Sequence, residues 1–225
     1  MPTAVSDVAQ HHFDGEGKLF RPLIVMLMAR ACNLNNAISD TGLSADQRCV
    51  AMISEMIHTA SLVHDDVIDA SDTRRGKASA HHLWGQRKAI VAGDFILSVS
   101  SCLLAQIRNN EVVKVLSQVL EDLVTGEFMQ LGSKEDDTER FNHYIKKTFK
   151  KTASLIANSC KAVSILAEGS DDVNDIAYQY GRNVGIAFQV FLFHYQSIIF
   201  NNITNHNKYY NQGGFINVCS QNSRR

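Results

Sequence analysis

The chain has 225 residues, 45% of them hydrophobic, with 22 Lys and Arg against 23 Asp and Glu for a net charge of −1. That length suits one domain, or one domain and a tail, and is enough to bury a sizeable core. The near balance of charge gives no electrostatic handle for nucleic acid or an anionic membrane surface, so no nucleic-acid partner is expected and membrane association is at most peripheral. Five scattered cysteines (Cys32, Cys49, Cys102, Cys160 and Cys219) form no CxxC pair and read as reduced thiols of an intracellular protein. The first residues show neither an apolar signal core nor an Arg-rich amphipathic segment. No run approaches the roughly 20 apolar residues of a membrane span.

Along the chain, PLIVMLMARACN (22–33) opens with proline at a first helical position and stays apolar, which predicts a buried helix. From about Ser44 to Asp69, Val50, Ile53, Ile57, Ala60 and Val63 recur at helical spacing. ASDTRRGKAS reads as a loop. Residues 81–107 and 111–132 each read as one helix. Residues 136–169 read as one long or two shorter helices, and a further helix starts near Asp171; both begin with acids that suit the helix dipole. No stretch alternates well enough to claim a sheet, so the expected class is all-α. After about Gln189 the sequence turns asparagine-rich and weakly periodic, which predicts a poorly ordered tail over 190–225. No Asp or Glu follows Asp175.

Within LVHDDVIDASDTRRG (62–76), Asp65 and Asp69 stand four apart, one turn from each other on a helix, with Asp66 beside them. Unpaired carboxylates at that spacing repel and call for a cation. Their hard oxygens suit Mg²⁺, which takes one or two protein carboxylates together with phosphate oxygens and water. The plainer reading of DDVID is a solvated acidic helix end. Arg74 and Arg75 follow within a loop's reach, and guanidinium groups bind phosphate in a fixed bidentate geometry. Acids that want a dication, beside paired arginines, describe a site for a diphosphate; a salt-bridged loop is the competing reading. Upstream, GEGKLFRP sets Lys18 and Arg21 three apart, and His58 lies two turns before Asp65. These three could cradle a second anion, or be surface charges and a core histidine. Lys146 and Lys147 read as a solvated face, whereas Lys151, beside Thr152 and an apolar run, is best placed to turn inward. Glu127 and Gln130 interrupt an apolar helix and could line the same cavity.

GEGKLFRP, HTASLVHDDVIDASDTRRGK, WGQRKAIVAGDFIL, EDLVTGEFMQLG and FKKTASLIANSCKA follow in the order seen in trans-prenyl diphosphate synthases. Over residues 13–189 the chain resembles that family, and within it the long-chain (decaprenyl or solanesyl) enzymes that make the ubiquinone side chain. The resemblance implies an isoprenoid-synthase-type helical bundle that adds isopentenyl diphosphate to an allylic diphosphate primer. It implies Mg²⁺ held by Asp65, Asp66 and Asp69. It implies isopentenyl diphosphate held by Lys18, Arg21, His58 and Arg75, and allylic diphosphate held by Arg74, Lys151, Thr152 and Gln189. Ala60 and Ser61, one turn before the acids, are small, which in this family leaves a tunnel open for a long product. The resemblance also implies a second synthase subunit in a hetero-oligomer, and a mitochondrial location.

A terpene cyclase also carries DDxxD on an all-α bundle, but it has no need of the second anion site that GKLFRP, His58 and RRG describe. A HD-type metal phosphohydrolase, suggested by His58 and the His64–Asp65 pair, leaves DDVID and RRG together unexplained. The family's second aspartate-rich motif follows a phrase like GIAFQ, whereas here Gly185–Gln189 leads into VFLFHYQSIIF. The expectation is therefore a partial domain truncated after Gln189. Its alternative function is that of an inactive binding or dimerisation subunit.

Overall fold

The computed structural model describes residues 4–13, 17, 19–35, 42–131 and 137–191. It falls into two compact units, Met1–Ile186 and Ala187–Arg225. In the second, residues 187–191 are helical, and the expected tail beyond them lies outside the described residues. The first unit contains α1 (Ala4–Gln10), α2 (Phe20–Asn35), α3 (Ala45–Ile68), a hairpin of β1 (Thr73–Arg74) and β2 (Lys77–Ala78), α4 (Ala80–Trp84) and α5 (Gln86–Gln106). There follow α6 (Asn110–Leu131), α7 (Asp137–Thr148), a π-helical turn (Phe149–Ala153) and α8 (Ser154–Leu166). Residues 171–186 form α9. The all-α expectation holds, with one minimal hairpin added.

The long central helix α3 packs against α2, α5 and α8. It starts at a capping box: Gln47 N–H donates to Ser44 Oγ at 3.1 Å, and Ser44 N–H donates to Gln47 Oε1 at 3.0 Å. Gln47 then spans to α2 through Asn33 (2.8 and 2.9 Å) and donates to the Val163 carbonyl of α8 (3.3 Å), so one buried amide ties three helices together. Val50, Ile53 and Ile57 of α3 pack with Val25 and Ala29 of α2, Leu116 and Val119 of α6, and Leu155 and Val163 of α8 in the main core. Each such aliphatic side chain, fully buried, stabilises the fold by about 1.5–3 kcal/mol relative to exposure.

Three local departures from the sequence reading have physical causes. Residues 70–79 form a hairpin with Thr73 opposite Ala78 and Arg74 opposite Lys77. Arg75 (φ 54°) and Gly76 (φ 80°) both adopt left-handed backbone, as a two-residue hairpin turn of the primed type requires. Two-residue strands are too short to leave a visible alternation. The single helix expected over 81–107 breaks at Gly85 (φ 84°, ψ 156°), a conformation open only to glycine. The helix α1, which no sequence signal announced, is held by docking: Val8 packs with Val63, Ala80, Ala89 and Ala92. By length and composition alone α5 could cross a membrane, contrary to the sequence reading, but it packs along α3 and behaves as a bundle helix.

The helix α9 approaches α8 through glycines at helical spacing. A Cβ on Gly181 would lie 2.8 Å from Ala157 Cα, and one on Gly185 would lie 2.6 Å from Ala153 Cα. Gly181 against Ala157 of α8, and Gly185 against Ala153 at the end of the π-turn, therefore bring the backbones into direct contact.

Candidate active site

The C-terminal turn of α3 presents its three acids to different surroundings. Asp65 faces a groove of about 390 Å³ whose other wall is α6 and the π-turn, with Glu127 and Lys151 beside it. Lys151 Nζ donates to Glu127 Oε2 at 2.6 Å and to Gln130 Oε1 at 3.2 Å, and lies 3.5 Å from Asp65 Oδ2. The π-turn inserts one extra residue into the helical ladder, a feature frequent at functional sites, and here it turns Lys151 into the groove. Burial pushes the Asp65 carboxyl above the usual carboxylate range; Lys151 opposes that push, while Glu127 and Asp69 add to it. Burial pulls the Lys151 ammonium down, but its bond to Glu127 and the Asp65 charge outweigh this and leave it above the usual lysine value.

Asp66 points the other way and is only 1% exposed. Arg74 Nε donates to its Oδ1 at 2.9 Å, and Arg74 Nη2 reaches the same oxygen. The second aspartate and the first arginine thus hold the hairpin onto α3. Asp69 is the C-cap of α3, exposed, with its N–H donating to the Asp65 carbonyl at 2.8 Å. The apolar part of the groove comes from Ile68, Leu123, Val124 and Phe128, with Ser61 beneath. Phe128 is 71% exposed, so this wall offers a greasy surface leading away from the acids. Ser61 lines the groove, whereas Ala60 does not: it is fully buried against Ala9 and Ile96.

A second basic cluster lies on the other flank of α3. Burial lowers the Arg21 guanidinium; Glu55 counteracts and Arg75 reinforces that lowering. Burial, aided by the charges of Arg21, Arg75 and Arg74, drives the His58 imidazole down to about 3, so it stays neutral at physiological pH. Arg75 lies over Gly17, where a Cβ would sit 2.9 Å from its Nη1. A small cleft nearby is lined by His11, His12, Thr59, Arg74, Arg75 and Lys77, among others. Arg21, His58 and Arg75 are thus brought together, while Lys18 lies outside the described residues. Thr152 is half-buried within the π-turn, and Gln189 belongs to the second unit.

Sequence reasoning missed Asp122 and Glu55. Asp122 is 6% exposed on α6, with Lys150 donating to its Oδ1 at 2.8 Å and Ser154 Oγ donating to its Oδ2. A signal was present: Val112, Leu116 and Val119 set a buried register that Asp122 continues. Glu55 stands one turn before His58 on α3, beside Arg21 and Arg75.

Comparison with known proteins fits this geometry. The chain is 61% identical over 188 residues to the all trans-polyprenyl-diphosphate synthase PDSS1 of Mus musculus, covering 83% of this chain and 45% of that protein. It is 44% identical over 199 residues to the mitochondrial solanesyl-diphosphate synthase 1 of Oryza sativa, covering 83% and 46%. The crystal structure of a polyprenyl synthase from Caulobacter crescentus, complexed with calcium and isoprenyl diphosphate, superimposes with a TM-score of 0.72 at 30% identity, over 82% of this chain and 54% of that one. The chain spans about half the length of the curated relatives it matches, 45% and 46% of these two. The polyprenyl synthetase family model matches residues 2–191, and with the fold and the acid–lysine groove in place, the chain belongs to the polyprenyl synthetase family.

Proposed function

We propose that this chain supplies the allylic-diphosphate side of a Mg²⁺-dependent, long-chain all-trans prenyltransferase. That enzyme adds isopentenyl diphosphate units to an allylic primer to make the polyprenyl side chain of ubiquinone in mitochondria. The observation that carries the reading is the convergence of Asp65 and Lys151 at the mouth of an apolar groove. A diphosphate headgroup and a hydrocarbon tail want that combination.

The donors fit magnesium in a particular way. Among the described residues, no three His, Cys, Asp or Glu side chains gather into a complete metal cage. Asp65 and Asp69 offer hard oxygens on one helix edge, which suits an ion that completes its shell with phosphate oxygens and water. Bound there, magnesium would neutralise charge on the departing diphosphate. Lys151, kept protonated by Glu127, places a fixed positive charge where the diphosphate oxygens gather negative charge as the C–O bond ionises. Ile68, Val124 and Phe128 offer apolar surface on which the hydrocarbon tail can be buried. The cluster of Arg21, His58 and Arg75 would hold isopentenyl diphosphate on the opposite flank, with His58 as a neutral hydrogen-bonding group.

A second reading, in which the chain binds diphosphate but turns it over only within a hetero-oligomer, is favoured by the stretch after Gly185–Gln189, where VFLFHYQSIIF carries no carboxylate. Val91, Phe95 and Cys102 share one exposed face of α5, which supports contact with a partner subunit. The two readings separate in one assay: Mg²⁺-dependent incorporation of isopentenyl diphosphate into a farnesyl primer, with and without the second synthase subunit. Activity of the chain alone that requires Asp65 supports the first. Activity only with the partner supports the second, and no contribution from Asp65 in either case refutes both.

A further inference from the structure

Lys150 and Lys151 are neighbours in the π-turn, yet they point at different acids of α6. Lys151 enters the groove, whereas Lys150 Nζ is drawn back 2.8 Å from the buried Asp122 carboxylate. The other Asp122 oxygen accepts from Ser154 Oγ, and Asn158 Nδ2 closes the set by donating to the Ser154 carbonyl at 2.9 Å and to its Oγ at 3.0 Å. One α6 turn later comes Gly126, where a Cβ would lie 3.0 Å from the Lys151 nitrogen and 3.2 Å from Lys150 Cβ. Asp122 and Gly126 share a helix face at i, i+4 spacing. One grips the π-turn by charge, and the other lets its backbone approach. Neither touches the groove.

We infer that Asp122 and Gly126 are positioning residues that clamp the π-turn against α6, so that Lys151 presents its ammonium to a diphosphate bound at Asp65. A buried carboxylate holding two donors fixes its neighbours far more tightly than a solvated one, and a group that must meet a substrate oxygen needs its supporting residues locked. The inference rests on the diphosphate reading of the groove, but the clamp itself can be measured without a ligand.

The test uses the full chain with Asp122→Ala, Asp122→Asn, Lys151→Ala and the double variant Asp122→Ala/Lys151→Ala. Hydrogen exchange of the 149–154 amides is expected to accelerate about tenfold in Asp122→Ala, with the 45–68 amides unchanged and Asp122→Asn intermediate. In calorimetric titration with Mg²⁺ and inorganic pyrophosphate, Asp122→Ala and Lys151→Ala are each expected to weaken binding about tenfold. The double variant should be no weaker than Lys151→Ala alone, because Asp122 acts through Lys151. Additive losses would overturn the inference, as would unchanged exchange at 149–154 or a uniform acceleration throughout the chain. If the unaltered chain takes no pyrophosphate, the diphosphate reading falls, and the exchange result alone decides the clamp.

Discussion

Substituting Gly185 by alanine sets two effects of known sign against each other. In a helix interior the change favours folding by about 0.8–1 kcal/mol through helix propensity. The new Cβ, however, would stand 2.6 Å from Ala153 Cα and 2.7 Å from Ala153 Cβ. Ordinary carbon contacts begin near 3.5 Å, so α9 and the end of the π-turn must separate by about 1 Å. The obstacle is backbone and a methyl group, with no flexible side chain to swing aside. Overpacking of that kind costs about 1–3 kcal/mol, so the net expectation is a loss of up to about 2 kcal/mol. Thermal unfolding of the full chain should then fall by about 2–4 °C per kcal/mol for a chain of this size. Gly181→Ala, whose Cβ would lie 2.8 Å from Ala157 Cα, should move in the same direction. A melting temperature that rises by the amount propensity alone gives would refute the close α8–α9 contact.

Arg74→Ala leaves Asp66 buried without its counter-ion and should cost about 3 kcal/mol in chemical denaturation, whereas Asp65→Ala should cost little; a loss below about 1 kcal/mol for Arg74→Ala would contradict the anchoring role. His58, held near 3 when folded against 6.5 when unfolded, should destabilise the chain as pH falls, because only the unfolded chain takes up the proton. Allowing for its partial exposure, the slope is about 1 kcal/mol per pH unit from about pH 6 to pH 4, seen as the difference between unaltered and His58→Gln chains in urea melts across that range. Ser61→Phe should fill the groove beneath Asp65, weakening farnesyl diphosphate binding about tenfold while inorganic pyrophosphate binds unchanged; equal effects on both would mean the tail does not enter there.

The parts of the site legible in the sequence were those carried by local spacing. The shared helix edge of Asp65 and Asp69 follows from 3.6-residue periodicity, and Lys151 is marked by its place between a basic face and an apolar run; Asp65 and Lys151 both line the groove. Long apolar periodicity likewise announced α3 and α6. What stayed hidden depends on contacts between elements distant in sequence. Nothing in DDVID distinguishes Asp65 from Asp66; only the hairpin, bending back to bring Arg74 onto Asp66, separates a groove acid from an anchoring acid. Ala60 and Ser61 look equivalent as small residues; the apolar register already sets Ala60 on the buried face, but its partners Ala9 and Ile96, and the groove beside Ser61, come from other elements. The π-turn has no composition signal, because it arises where Asp122 and Gly126 on one side and Gly185 on the other draw the chain between them.

The central claim is that the end of α3 holds a diphosphate through a divalent ion, with Lys151 as the protein's own cation. Calorimetric titration of farnesyl diphosphate into the full chain, with Mg²⁺ or with chelator, and into Asp65→Asn, tests it most directly. Binding is expected to require Mg²⁺ and to weaken at least about tenfold in Asp65→Asn. Binding of equal strength under chelator, or unchanged by Asp65→Asn, would contradict it.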